Sequence, residues 1–330
     1  MPVLSPMLRS AFSDLHDARF REIFGDKFKE YQTVFEKLLN MKSSDRQSEP
    51  YSSISGHDLF EETAEAGTPS EDAHIQGYDL TLVNRKFTKT AKISWENLKD
   101  DQFNELEKEA KALGRAAKRT PDVHASDMLK RGFVTTDSFG NSMLSADGLR
   151  YFSTLHKLNS VDGTTASNAS STGLTLSDDN LETALVSMNE QPNPRGLFAG
   201  VTATDLIVPS SLRKAALIIT GSDKRSDTAD NDMNVYKGAN SYYGGSLNVT
   251  VWNELGSASS NAGSNTAWFL MDKNIHEMIF QWREKAMLHP VEFNQKNMTF
   301  EYLMHMRYEF GMIDWRGTWG SKGDSQAFSS

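Results

Sequence analysis

Apolar and polar residues alternate most regularly near the C-terminus. In NMTFEYLMHMRYEF every even position from Met298 to Phe310 is Met, Phe or Tyr, while the odd positions are mostly polar or charged. Strand side chains alternate between two faces, so the pattern predicts a single strand of thirteen residues, roughly 40 Å long at about 3.3 Å per residue. Shorter strands are predicted at WFLM and HEMIFQWR just before it. Beyond Gly311 the apolar residues are Ile313 and Trp315, which are odd. Keeping one face buried across that switch needs one extra residue, so a β-bulge or bend is expected at Gly311–Met312. After the bend Asp314 and Arg316 fall on the side opposite Trp315, where they can pair with each other or reach a neighbouring chain. Gly311, Asp314, Trp315 and Arg316 are therefore candidates for a structural lock or an interface.

Helical spacing dominates elsewhere. Between residues 10 and 41, Phe12, Leu15, Phe20, Ile23, Phe24, Phe28, Tyr31, Val34, Phe35 and Leu38 recur at helical intervals, predicting one or two amphipathic helices. From Asn97 to Lys118 the apolar positions Phe103, Leu106, Ala110, Leu113 and Ala117 predict one long helix, with Glu107 and Lys111 an i,i+4 pair. Thr120 and Pro121 resemble the cap and first position of a separate helix that Gly132 ends. Ser177 caps a helix with Leu181, Ala184, Leu185 and Met188 on one face, and the prolines of QPNPRG end it. A buried-type strand TDLIVP, a helix opened by Ser210 with Leu212, Ala215, Ala216 and Ile219 inward, and the strand SLNVTVW complete an α+β unit. The Gly/Ser/Asn-rich linker 256–266 closes it.

Between Tyr51 and Ser94 the chain is strand-like but poor in large apolar residues. A long two-stranded arm that packs on a neighbour fits this stretch better than an independent domain.

Composition narrows the chemistry. The chain has 330 residues, 38% hydrophobic and 24% charged, with a formal net charge of -9. That balance lacks the cationic surface with which proteins grip nucleic acid. There are no cysteines, which excludes disulfides, thiolate nucleophiles and Cys-ligated zinc. No basic-then-apolar leader is visible at the N-terminus, and no segment approaches the roughly 18 apolar residues of a membrane span. Production in the cytoplasm and no membrane association are expected.

Catalytic patterns are sparse. Ser211 and Lys214 match S-x-x-K spacing, yet both accompanying motifs of that chemistry are missing and Ser210–Ser211 fit a helix start after Pro209. Asp223, Asp227, Asp230 and Asp232 offer carboxylates, but Val235 and Ser241 stand where a calcium loop needs Gly and Glu. The eight histidines include no H-x-x-x-H pair, and Gly244–Gly245 belongs to no phosphate-loop motif. No catalytic residue, cofactor or metal is expected. What remains is shape: arms that cannot bury themselves imply a partner that does.

Several segments, in order over roughly residues 140–320, resemble the Mu-like phage major head subunit family. They are DGLRYFSTLH (147–156), GLTLSDDNLETALVSMNEQPNPRG (173–196), LIVPSSLRKAALII (206–219) and the closing GMIDWRG. The resemblance implies an α+β, Hong Kong 97-type capsid fold. Its expected parts are an N-terminal arm (1–50), an extended β-hairpin loop (51–94), a peripheral domain with a spine helix and long-strand sheet (95–174), an axial domain (175–266) and returning peripheral strands (267–330). It further implies a non-enzymatic major capsid protein of a tailed phage or prophage, assembling in the host cytoplasm as hexamers and pentamers into an icosahedral virion shell around double-stranded DNA. Portal, scaffold and decoration proteins are the implied partners besides the chain itself, and the DNA is enclosed without sequence-specific binding. Arg85, Lys86, Lys89 and Lys92 fall in the extended loop and are its candidate contacts. An encapsulin-like compartment shares this fold and stands as the alternative, with a Ser/Lys hydrolase a remote third.

Overall fold

The computed structural model of the chain describes residues 9–54, 56–68, 70–72, 76–99, 105–161, 163–222, 234, 236, 247–258 and 263–327. The helices are α1 (Arg9–Glu30), α2 (Phe35–Leu38), α3 (Trp95–Lys99), α4 (Glu105–Lys130), α5 (Asp178–Asn189) and α6 (Arg213–Gly221). The strands are β1 (Asn40–Ser43), β2 (Ser48–Ile54), β3 (Gln76–Val83), β4 (Arg85–Ser94), β5 (His156–Lys157), β6 (Thr165–Ala166), β7 (Asp205–Val208), β8 (Asn248–Val251), β9 (Trp268–Met271), β10 (Met278–Leu288), β11 (Glu292–Asn294), β12 (Thr299–Met312) and β13 (Thr318–Ser321). The acidic loop at Asp223, Asp227, Asp230 and Asp232, the Gly244–Gly245 turn, and the side chains of Phe12, Leu15 and Phe103 lie outside the described residues.

The long alternating strand is β12, fourteen residues from Thr299, with Met298 in the preceding turn at φ 47°. It carries β10 and β11 along one edge and β4 along the other, while β1 extends the sheet beyond β10 in parallel. Phe300, Tyr302, Met304, Met306, Tyr308, Phe310 and Met312 are all buried on one face. Against that face lie α1, α2 and α4: Phe20 stacks on Tyr302 at 3.8 Å, and Phe35 meets Phe280 of β10 at 4.6 Å. The N-terminal helix thus finds its apolar partners within its own chain, contrary to the expectation that it needs a neighbour to bury it.

Helix α4 runs unbroken through Pro121, so the separate helix expected there does not exist. The reason is the apolar stripe. Leu106, Ala110, Leu113 and Ala117 are followed at the next turns by Pro121 itself, then Ala125, Met128 and Leu129, all buried. A proline inside a helix costs about 3 kcal/mol, while burying a Met or Leu side chain contributes about 1.5–3 kcal/mol each, so continuing the buried face wins. Thr120 does not cap; its hydroxyl donates back to the Ala116 carbonyl at 2.6 Å.

No bulge occurs at Gly311–Met312, where β12 pairs in unbroken register with β10. The irregularities sit in β10 instead, between Trp282 and Glu284 and between Glu284 and Met287. The parity switch is resolved because β12 ends at Met312 and the chain turns away. Gly311 has another use: a Cβ there would stand 2.6 Å from Leu82 Cδ2, so its bare backbone lets the β2–β3 hairpin lie on the sheet. That hairpin spans 48–83; residues 85–94 form β4 of the larger sheet and not the second half of an arm.

The second sheet has the order β13-β9-β7-β8. Strand β9, expected among the returning strands of the long-strand sheet, pairs here with β7 and β13. One face packs on α5 and α6 through Leu206, Val208, Trp268, Leu270 and Trp319; Ile207, Phe269 and Met271 on the other join the core of the larger sheet. Ser177 caps α5 by accepting from Asn180 N at 3.3 Å, with Leu181, Ala184, Leu185 and Met188 buried as expected.

Gly114 offers a direct test of the arm's packing, since a Cβ there would lie 2.7 Å from the Phe24 carbonyl oxygen of α1. Gly114→Ala gains up to about 1 kcal/mol of helix propensity but incurs about 1–3 kcal/mol of overpacking. A lower urea midpoint is expected; an unchanged or raised midpoint would show that α1 does not sit this close.

Candidate functional site: the lock at the end of the long strand

After β12 the chain makes a tight turn built by its own sequence. Asp314 Oδ1 accepts from Arg316 N at 3.0 Å, and Gly317 takes φ 74°, with its α-carbon so near the His276 backbone that a Cβ would lie 2.7 Å from His276 N. Only glycine meets both demands.

The side chains point into the protein. Arg316 is 7% exposed; both Asp314 oxygens accept from its Nη1 at 3.0 Å, Nη2 donates to the Leu158 carbonyl at 2.8 Å, and Nε to the Pro192 carbonyl. The guanidinium lies over the Trp315 ring at 4.6 Å, so Arg316 is not opposite Trp315 as the alternation predicts; the turn folds it back. The pair is also not an exposed one. Cation–π contact and three kinds of acceptor satisfy a buried guanidinium that would otherwise be costly.

Trp315 is buried, stacks on the His156 ring at 5.1 Å with 8° between planes, and directs Nε1 toward the Lys157 carbonyl at 3.4 Å. His156 Nδ1 meets Asp147 Oδ2 at 2.7 Å, and Ser145 donates to the other carboxylate oxygen. Burial pushes the Asp147 carboxyl up, but the bond and charge of His156, with Ser145 and the Leu149 N–H, hold it below its ordinary range. Two residues that the sequence reading did not single out complete the lock. Asn168 donates to the Tyr151 and Trp315 carbonyls and to Thr318 Oγ1, while its own oxygen accepts from Ser153 N. Gln191 accepts from Gly317 N at 3.0 Å and donates to the Thr318 carbonyl at 2.9 Å. Both lie in polar stretches that read as loop, with no periodic signal to mark them as buried.

A second ionic cluster ties β4 to the same end of the sheet. Arg85 donates from Nε and Nη2 to the two Glu309 oxygens at 2.6 Å, and from Nη1 to Asp137. Burial raises the Glu309 carboxyl despite Arg85, whereas Arg85 and Asn141 bring Asp137 below its ordinary value against the same penalty. Nearby His124 is driven down to about 4 by burial and shares a hydrogen bond with Tyr308 OH. Arg85 is therefore an internal clamp, not a free loop contact. Lys86, Lys89 and Lys92 are exposed on β4, with Lys92 3.0 Å from Glu301. Ser211 is engaged elsewhere, donating to the Asn265 carbonyl at 2.6 Å. No group of three or more His, Asp or Glu suited to a metal occurs among the described residues, and no described helix is long and apolar enough to cross a membrane.

What these clusters do chemically is fasten elements together, and comparison with known proteins gives that a context. A family profile described as phage capsid protein matches residues 81–320. The chain belongs to the phage capsid protein family. Its function is that of a major capsid protein. Comparison with curated proteins gives no match. Among solved structures, it is similar to the capsid of Myoviridae phage XM1 (11% identity, 86% of this chain and 89% of that one, TM-score 0.51). It is also similar to the capsid of an empty GTA particle (10% identity, 87% and 88%, TM-score 0.51). A third is the capsid of bacteriophage JBD30 decorated with minor capsid protein trimers (16% identity, 68% and 92%, TM-score 0.51). The profile spans β4 to β13, and so contains both clusters of this capsid protein.

Truncating Trp315 to Ala is expected to cost about 3–5 kcal/mol, and Arg85→Ala about as much, because Glu309 and Asp137 lose their buried counter-charge. Denaturant midpoints within error of wild type for either variant would contradict the lock. The pH behaviour of Asp147 gives a separate check. Its folded carboxyl lies below the ordinary value, so its contribution is present above that range and is lost as pH falls through the depressed value. The stability gap between wild type and Asp147→Asn should shrink as pH drops below about 4. A gap that widens there in acid denaturation series would refute the assignment.

Proposed function

We propose that this capsid protein is a Mu-like major head subunit with the Hong Kong 97-type fold. It assembles as hexamers and pentamers into an icosahedral shell around double-stranded DNA. In this reading the larger sheet with α4 is the peripheral domain with its spine helix, the second sheet with α5 and α6 is the axial domain, and the β2–β3 hairpin is the extended loop. The observation that carries it is the combination of a fourteen-residue strand, a 26-residue helix crossing its buried face, and a locked second sheet, in a chain of the phage capsid protein family. The ordered motifs from DGLRYFSTLH to GMIDWRG support the Mu-like assignment.

The protein is a building block and not a catalyst, a reading supported by its membership of a structural capsid family. Assembly takes place in the host cytoplasm, and portal and scaffold proteins complete the head. The JBD30 capsid carries minor capsid protein trimers, which supports a decoration partner here as well. The acidic balance of -9 suits a container that must not hold DNA by phosphate contacts. The family match favours a phage head over an encapsulin-like compartment.

Electron microscopy of the purified protein, concentrated alone or with its scaffold, tests the reading. Closed shells with hexameric and pentameric capsomers are expected. Featureless monomers throughout would remove it.

A further inference from the structure

Strand β10 leaves regular pairing twice. Trp282 faces Tyr308, Glu284 faces Arg307 and Met287 faces His305, so one residue of β10 is inserted before Glu284 and another after it. Each insertion interrupts the backbone ladder. Together they restore parity, and Leu288 is again opposite Met304 on the helix side. Side chains bridge the interrupted stretch. Arg307 Nη1 donates to Glu284 Oε1 at 3.3 Å, and Glu284 Oε2 lies 2.7 Å from His305 Nε2. His305 Nδ1 in turn lies 2.6 Å from Nε2 of His289, where backbone pairing has resumed and the His289 N–H reaches the Leu303 carbonyl. The row Arg307, Glu284, His305, His289 therefore passes from β12 to β10 and back, and ends just beyond β10.

Proton count decides whether this row holds. A carboxylate accepts and does not donate, so His305 keeps its proton on Nε2 and offers the lone pair of Nδ1 to the N–H of His289. One further proton is accommodated: His305 then donates from both nitrogens, His289 presents a lone pair, and Glu284 balances the charge. A second is not. With both rings charged, N–H faces N–H and two cations stand with ring centroids 4.6 Å apart. Around the pair, β4 presents Thr88 opposite His305 and Lys86 opposite Arg307, Lys285 follows Glu284 on β10, and α1 brings Arg21 to the Leu288 and His289 carbonyls. Farther along, Glu301 is engaged by Lys92 at 3.0 Å, with Glu292 of β11 opposite it. Glu284 is the carboxylate in contact with the pair, and Arg307 shares it. The hydrogen bond from His305 and the charge of Arg307 hold its carboxyl below the ordinary range, so it stays ionised while imidazoles charge.

We infer that the Glu284, His305, His289 row is an acid-released latch that fastens the far end of β10 to β12 and, through it, α1 to the sheet. The latched pair takes one proton where the released segment takes two. By linkage the latch is closed above the range in which imidazole charges and is lost as pH falls through it. What is let go is β10 from Glu284 onward together with His289. The anchor of α1 goes with it, because Arg21 donates to the Leu288 and His289 carbonyls at 3.4 and 3.0 Å. The Gly311 end of the same sheet is fixed separately, by Arg85 on Glu309. The device belongs to the single chain and does not depend on its assembly.

Hydrogen exchange of the purified full chain, read by mass spectrometry at about pH 7.5 and about pH 5.5 and normalised to an unstructured peptide at each pH, tests the latch. In wild type, residues 284–289 and 19–26 should lose about ten-fold in protection on acidification, the equivalent of one unit of displaced proton affinity. Residues 309–312 should keep theirs. His289→Gln carries a neutral amide that can give or accept a hydrogen bond at His305 Nδ1, so both segments should stay protected at both pH values. His305→Gln gives the same reading from the other strand should the first variant fail to fold. Every other titrating group is common to wild type and variants, so the difference between them isolates the pair. Equal loss of protection in wild type and variants, or no loss in wild type, would overturn the latch.

Discussion

Burial of one whole face of β12 is the constraint on which the remaining structure depends. Seven large side chains from Phe300 to Met312 must be covered along a strand that no single helix turn can shield. The cover is supplied by α4, itself 26 residues long, with α1 and α2 filling the space beside it. Length matches length, which explains why α4 tolerates Pro121 and why the close approach of α1 requires Gly114. A shorter helix would leave part of the Met and aromatic row in water, at about 25 cal/mol for every Å² of apolar surface.

A long, rigid slab is useful only if its ends are fixed, and both ionic clusters sit where β12 ends. Arg85 binds β4 to Glu309 and to the Asp137 turn; Arg316 binds the strand's exit to Leu158 and Pro192, beside the second sheet. Buried ion pairs add little net stability compared with apolar packing, but removing one partner is expensive. They therefore act as specificity devices: alternative registers of β12 or alternative placements of the second sheet would strand a charge. Asn168 and Gln191 extend the same logic with neutral groups, satisfying backbone atoms on both sides of the turn.

Much of this was readable from the sequence. The even-position row of β12, the Ser177 cap and the apolar face of α5 follow from local periodicity alone, and the structure contains them. Local rules fail where tertiary packing outweighs them. Pro121 marks a helix boundary by propensity, yet it occupies a core position on a stripe that continues past it. The parity change at Gly311 implied a bulge, but the strand stops there and the irregularity moves to β10. Lys86, Lys89 and Lys92 looked like loop residues because strand pairing partners more than two hundred residues away cannot be seen in a local pattern. The Asp-Trp-Arg-Gly motif stands out as unusual without showing its contacts, which come from Asn168 and Gln191 in polar stretches and from His156, none of them marked by a periodic signal.

Asp314-Trp315-Arg316-Gly317 fastens parts of one chain through buried contacts to Leu158, Pro192 and His156. A cryo-EM reconstruction of the assembled shell at side-chain resolution tests it most directly. Every subunit in the shell should keep Arg316 on Leu158, Pro192 and Asp314 of the same chain, with Trp315 against His156. Arg316 or Trp315 turned outward onto a neighbouring subunit, or differing between lattice positions, would contradict the account.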